Sequence, residues 1–463
     1  MSKNILKIGI VKLIVKNKLF PTVFRISSLI ATFIMIYIGW GLMDDRLRFT
    51  NLTSFLIWIV WWPGIIVAAI FTGRGWCTMC HQKYISDMIS GYGLNWKVPD
   101  YITRYGSTAT IIAVFGVLFL HSSVAGYEVS HIAGLSALYL LILLIYVTVI
   151  SILFEHGAFC KSFCPLVGFL GIYSRCSPIE IGSDDPEKCK SCKDKECRKH
   201  CSNDLLIPEM DSQMQEGCLL CLECVKNCPN DNVSIHLRSF FKGLWDSPKR
   251  TTAEALAVIF LLGIVIAEVG EEFKPFDEVL LFVPNLLAQT SGFETIFNTA
   301  TGGLLIWEIL WILIILPFVF IGLSGIIGKL LSKKHDFSGI TWNIIKTYSL
   351  GFVPLILGLH ATKMIYSFQS RIGYLPYTLG NLASNAILSI PVMKPLLPDL
   401  IMGYILMAFF TIFGVGGSLY STWKISQYYR ASKNDKNAIP FGITILIIGS
   451  VFVFVIYHWL IAP

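Results

Sequence analysis

The chain has 463 residues, of which 54% are hydrophobic and 14% charged, with a formal net charge of +7. Soluble domains carry roughly 25% charged residues, so these few charges cannot cover a water-facing surface, and a soluble, collagenous or disordered protein is excluded. Excess Lys and Arg in so apolar a chain marks the cytoplasmic loops of a membrane protein and not a nucleic-acid surface.

Residues 5–17 (ILKIGIVKLIVKN) read as a basic amphipathic segment lying on the membrane surface, with a disordered tail as the alternative. The apolar run that follows is too long for a cleaved signal peptide, and no small-residue cleavage site succeeds it. Crossing a bilayer takes about 20 mostly apolar residues. Uncharged runs at 26–43, 49–73, 105–127 and 132–154 supply four spans, and segments near 253–270, 301–328, 347–365, 400–423 and 437–460 supply five more. The segment at 253–270 is the poorest, because Glu254 and Glu268 bracket only thirteen uncharged residues.

Charge supports this count. With the N-terminus inside, the basic stretches Lys3 to Arg25, Arg74 to Arg104, Lys329 to Lys346 and Lys424 to Lys436 all face the cytoplasm. Removing the fifth span would turn the later basic loops outward. The expected fold is therefore an all-α polytopic membrane protein of about nine transmembrane helices with a small inserted dicluster ferredoxin-like segment. Residues 1–22 form a cytoplasmic basic N-terminus and 23–155 a four-helix membrane half. Residues 156–247 form a cysteine-rich cytoplasmic segment, and 248–463 a second membrane half of about five helices. The expected location is the inner (cytoplasmic) membrane, with the C-terminus outside.

Eight of the 13 cysteines fall between Cys189 and Cys228. The run Cys218-x2-Cys221-x2-Cys224-x3-Cys228-Pro229 has bacterial ferredoxin spacing, in which three close thiolates hold one [4Fe–4S] core and the fourth reaches another. It is preceded by Cys189-x2-Cys192-x4-Cys197-x3-Cys201-Ser202, which is longer before its third cysteine and has serine for proline. Three-plus-one sharing assigns Cys189, Cys192, Cys197 and Cys228 to one core. Cys218, Cys221, Cys224 and Cys201 go to the other. A [3Fe–4S] core in the first run stays open. Zinc is the alternative, although its sites usually use two well-separated Cys-x2-Cys knuckles.

Two phrases close the second and fourth spans at one depth: Gly73-Arg-Gly-Trp-Cys77-Thr-Met-Cys80 and Gly157-Ala-Phe-Cys160-Lys-Ser-Phe-Cys164-Pro165. They form a weak repeat with an expected pseudo-twofold arrangement. If the ends meet, Cys77, Cys80, Cys160 and Cys164 hold a third iron–sulfur core; buried structural cysteine is the alternative. Cys77-Thr-Met-Cys80-His81 also matches a c-type haem string, but that attachment belongs to the exterior face, so haem is not expected here. Cys176 reads as structural.

These motifs resemble the membrane-bound [4Fe–4S] polyferredoxins of the NapH, NosR and CcoG type. The phrase Phe159-Cys-Lys-Ser-Phe-Cys164-Pro-Leu-Val-Gly-Phe-Leu-Gly-Ile-Tyr-Ser-Arg175 carries the resemblance, with Gly73-Arg74 opening the first motif; it covers roughly residues 23–240. The first motif departs from the pattern, being one residue shorter between its cysteines and lacking the proline. The resemblance implies electron transfer between the membrane quinone pool and another redox protein or subunit, within a respiratory oxidoreductase. One branch of the group implies an assembly factor that reduces a metal for insertion into a respiratory enzyme. No Gly-rich nicotinamide fingerprint in a strand–helix setting accompanies these motifs.

In the second half, Glu308, His360 and Lys363 are ionisable residues within spans and so candidates for function. His121 and His458 lie in other spans. Three readings stand open. A His or Glu accepts the proton of a quinol, two of the His residues ligate haem b, or the groups merely snorkel or bond between helices.

Overall fold

The structure, a computed structural model, describes residues 3–43, 50–118, 129–130, 132–207, 217–246, 251–270, 274–291, 306–331, 339–383, 401–428 and 438–461. The chain is a mostly helical multi-pass membrane protein. Among the described residues, eight helices are long and apolar enough to cross a bilayer: Thr22–Gly39, Leu52–Thr72, Ala133–Leu153, Thr252–Gly270, Ile306–Leu331, Trp342–Ile372, Ile401–Tyr428 and Ala438–His458. The expected span at 105–127 is represented by a helix over Asp100–Leu118; the rest of that run, including His121, lies outside the described residues.

The segment that looked poorest is among the most buried helices. Both of its acidic residues have local explanations. Thr251 and Glu254 form a reciprocal N-terminal cap, with the Thr251 amide donating to Glu254 Oε2 at 2.8 Å and the Glu254 amide donating to Thr251 Oγ1 at 3.2 Å. Glu268 lies at the far end and faces a histidine, described below.

Two spans contain π-helical stretches, Phe55–Trp61 and Ile309–Ile315. Each runs into a proline two residues on, Pro63 and Pro317. A proline has no amide to close the usual turn. In both, the wide turn closes on the residue just before the proline: the Trp62 amide donates to the Ile57 carbonyl, and the Leu316 amide to that of Trp311. Such turns recur at functional sites.

By contacts the chain forms two compact units. The first comprises Met1–Met35, Val67–Ser107 and Leu140–Lys249 and contains every cysteine. Its sheet has three antiparallel strands in the order β1 (Lys3–Asn4), β3 (Val233–Leu237), β2 (Ile179–Ser183), with Lys3 opposite Leu237 and Ile179 opposite the same residue. The N-terminal segment is thus a structural part of this unit. Leu6 and Val15 share a core with Ile181, Val225 and Val233. Lys12 and Lys16 pair with Asp231 at 2.8 and 2.7 Å. The other face of the helix Gly9–Lys16 leaves Ile10, Leu13 and Ile14 exposed.

The second unit comprises Ile36–Ile66, Thr108–Tyr139 and Arg250–Pro463. The helices Thr252–Gly270 and Val353–Ile372 are almost wholly buried, whereas Ile401–Tyr428 and Ala438–Ile461 expose apolar side chains such as Phe409, Ile412 and Phe454. Glycine sets the closest approach. A Cβ on Gly358 would lie 2.5 Å from the Phe410 carbonyl oxygen and 2.7 Å from the Gly414 Cα. Small residues at such crossings are what helices in lipid use to pack tightly.

Candidate metal centres and a buried ionisable pair

The two cysteine runs fold alike. Each places its third cysteine, Cys197 or Cys224, second in a four-residue helix, Glu196–Lys199 or Glu223–Lys226. Each helix is entered through a left-handed residue, Lys195 at φ 44° and Leu222 at φ 65°. Three residues after the fourth cysteine the chain again turns left-handed, at Asp204 (φ 53°) and Asp231 (φ 48°). The next amide then donates back to the cysteine sulfur: Leu205 to Cys201 at 3.4 Å and Asn232 to Cys228 at 3.3 Å. The two additional residues of the first run fall before its helix and leave this geometry intact.

The crossed partition expected from spacing is also how the side chains gather. Cys201, Cys218, Cys221 and Cys224 line one pocket. In the other group, Asn232 bonds both Cys228 and Cys189, and burial and then the neighbouring Cys228, Cys189 and Cys192 raise the Cys197 thiol. The side-chain amide of Asn232, a residue the motif did not flag, donates to Cys189 Sγ at 3.2 Å.

The edge cysteines meet as well. Cys77, Cys80, Cys160 and Cys164 line a second pocket. The unequal cysteine spacing is absorbed locally. Gly73 (φ +58°) and Gly157 (φ +81°) both take a left-handed turn that a side chain would strain. From either glycine the second cysteine of the motif is equally far along the chain. The additional residue of the second motif is taken up by a π-turn, in which the Cys164 amide donates to the Phe159 carbonyl at 2.8 Å. Cys80 and Cys164 finish in nearly the same extended backbone, φ −71°, ψ 125° and φ −67°, ψ 129°.

The two cavities share a wall. Leu219 lines both, and the Thr78 hydroxyl donates across to the Leu220 carbonyl at 2.7 Å. Burial pushes the Cys80 thiol up to about 11 and the Cys164 and Cys218 thiols up to about 12. Thiols held this way become thiolate ligands only when a cation supplies the compensating charge. Among the described residues, no group of three or more His, Cys, Asp or Glu side chains is disposed to hold a single metal ion. His81 turns elsewhere: its Nδ1 lies 3.0 Å from the Ser28 hydroxyl, and burial lowers the ring to about 4. Cys176 is fully buried.

No family model matches the chain, and no solved structure matches it. It is similar to two curated proteins. Over 240 residues, 48% of this chain and 87% of the relative, it is 25% identical to an uncharacterized protein of Methanocaldococcus jannaschii. Over 129 residues, 27% of this chain and 35% of the relative, it is 30% identical to the "Putative electron transport protein YccM" of Escherichia coli.

In the second unit, the three ionisable residues expected to matter are all buried: Glu308 at 0% exposure, His360 at 1% and Lys363 at 8%. The partner of His360 is one the sequence reading counted against its own helix. Glu268 Oε2 lies 3.3 Å from His360 Nε2, and both side chains are buried. The Trp62 indole, directly after a π-turn, lies 6.2 Å from the imidazole between ring centroids. Lys363 follows one turn later on the helix of His360. His458 is exposed and stacks on Phe454 with centroids 6.4 Å apart.

Proposed function

We propose that the chain is a membrane iron–sulfur electron-transfer protein that relays single electrons between the quinone pool and a partner redox protein. The observation that carries this reading is the gathering of twelve cysteines into three groups of four, two of them on pockets with Leu219 between. In this reading Cys189, Cys192, Cys197 and Cys228 hold one [4Fe–4S] core in a ferredoxin-like segment. Cys201, Cys218, Cys221 and Cys224 hold the second, and the edge cysteines hold the third. A bound iron–sulfur core supplies one-electron redox chemistry whose potential the surrounding hydrogen bonds and burial set. Here those bonds are the amides of Leu205 and Asn232 and the side chain of Asn232. The remote similarity to a protein named for electron transport and the membrane-spanning helices fit the same role.

The lipid-phase end is assigned to the buried pair of the second unit. Oxidation of a hydroquinone breaks two O–H bonds and yields two electrons and two protons. With the pair toward the exterior end of its helices and the cysteines on the cytoplasmic side, the passage of single electrons between them takes a further carrier. Glu268 and His360 offer a carboxylate and an imidazole as proton acceptors, with Lys363 one turn along as a nearby charge. The bias of the basic loops supports a cytoplasmic cysteine-bearing segment and N-terminus and an exterior C-terminus. The test is anaerobic addition of a reduced short-chain quinone to purified protein. The expected result is a rise of the reduced-cluster EPR signal, with Glu268→Gln slowing that rise while leaving dithionite reduction intact. Clusters that answer dithionite but never the quinol would remove the quinone from this chain.

A further inference from the structure

Lys83 is buried at 1% exposure on the short helix that follows the first edge motif. Its ammonium lies 2.7 and 2.9 Å from the two carboxylate oxygens of Asp87 and donates to the Ser202 hydroxyl at 2.7 Å. Lys83 lines the edge cavity, and Ser202 lines the other. The hydrogen bond between them therefore links the two walls. Cys160 of one cavity and Cys221 of the other both act electrostatically on this ammonium.

The charges around it are fixed. Asp87 is also met by His156 Nε2 at 3.2 Å and by Arg25 at 3.8 Å. Arg25 donates in turn to the carbonyl of Thr78, between the edge cysteines, at 3.0 Å. A buried ammonium is expensive to desolvate, and exchange for an apolar side chain is often neutral or stabilising. Packing alone therefore gives no reason for a lysine at this place. A fixed cation in a poorly screened site favours any negative charge that arrives beside it. Each electron added to a cysteine-held core is such a charge.

We propose that Lys83 is a shared countercharge of the two adjoining cysteine sites, raising the reduction potential of both, while Asp87 sets how much of that charge they feel. The proposal rests on the iron–sulfur reading of the two cavities. It makes Lys83 a positioning residue for charge and not a ligand.

The experiment is potentiometric EPR titration of the anaerobically purified full chain, with iron content and thermal unfolding measured alongside. Lys83→Met should lower the midpoints of both adjoining centres, and Asp87→Asn should raise both. The centre of Cys189, Cys192, Cys197 and Cys228 serves as internal reference and should stay put, and Lys83→Arg should hold all three near wild type. If Lys83→Met loses iron, the opposite sign expected of Asp87→Asn still decides. Iron-replete variants with unmoved midpoints would overturn the proposal, as would a common shift in all three centres or shifts of one sign in both variants. Wild-type protein without reducible iron would instead overturn the reading beneath it.

Discussion

In the cysteine-bearing unit, buried polar groups surround cavities, whereas in the helical unit they press directly against one another. Cys80, Cys160 and Cys221 are buried on short loops and single turns near the Arg25–Asp87–Lys83 charges, and amide-to-sulfur bonds fasten Cys201 and Cys228. Glu268 and His360 sit on long helices, where glycines bring neighbouring backbones together and leave the pair enclosed. The first lines pockets with cysteine side chains and sets charged groups in their walls. The second brings a carboxylate and an imidazole to 3.3 Å. The same physical rule, that buried polarity must be compensated, applies to the cysteine-lined pockets of one unit and to the buried carboxylate–imidazole pair of the other.

The largest effect should come from breaking that division at the cysteines. Cys221→Ser and Cys160→Ser should each remove about four irons per chain, read by iron analysis and by loss of one EPR signal. Substitutions at Glu268 or His360 should remove none. Next in size, Glu268→Leu leaves His360 and Lys363 without their buried acid and should destabilise the helical unit by about 3–5 kcal/mol, measured by thermal unfolding in detergent. At the glycine crossing, Gly358→Val places new atoms against the Phe410 carbonyl, and overpacking of this kind costs about 1–3 kcal/mol. Thr251→Ala loses an N-terminal cap worth about 1 kcal/mol. Both changes should lower the unfolding temperature without altering cluster spectra.

The smallest effect lies at the N-terminus. Hydrogen bonds from Lys12 and Lys16 hold the Asp231 carboxyl below the usual carboxylate range. That contact contributes fully above the unfolded value of about 3.9 and is lost as pH falls through the lower folded value. Asp231 is half-exposed, so Asp231→Asn should cost less than about 1 kcal/mol. Hydrogen exchange in Gly9–Lys16 should then be faster at neutral pH and no longer accelerate in acid.

The cysteine pattern is legible as spacing, because ligand spacing is local: the runs Cys189 to Cys201 and Cys218 to Cys228 together suggest the crossed three-plus-one partition. The edge motifs were harder. Compared cysteine to cysteine they look unequal, yet counted from Gly73 and Gly157 their second cysteines coincide, and the left-handed glycines were the signal to use. Eight of the expected membrane-spanning segments are helices of sufficient length and apolarity, since hydropathy is read within one segment. Glu268 was seen and weighed only as a charge against its helix; its partner His360 lies on another helix, and no periodicity connects them. Lys83 and the N-terminal strand were invisible for the same reason: both depend on contacts with residues more than a hundred positions away.

The most direct test is iron and acid-labile sulfide per chain on protein purified without oxygen, followed by EPR after dithionite reduction. Three cysteine-held cores require about twelve irons and three reducible signals. A plateau at about eight irons would return Cys77, Cys80, Cys160 and Cys164 to a structural role. Zinc in place of iron would contradict the electron-transfer account altogether.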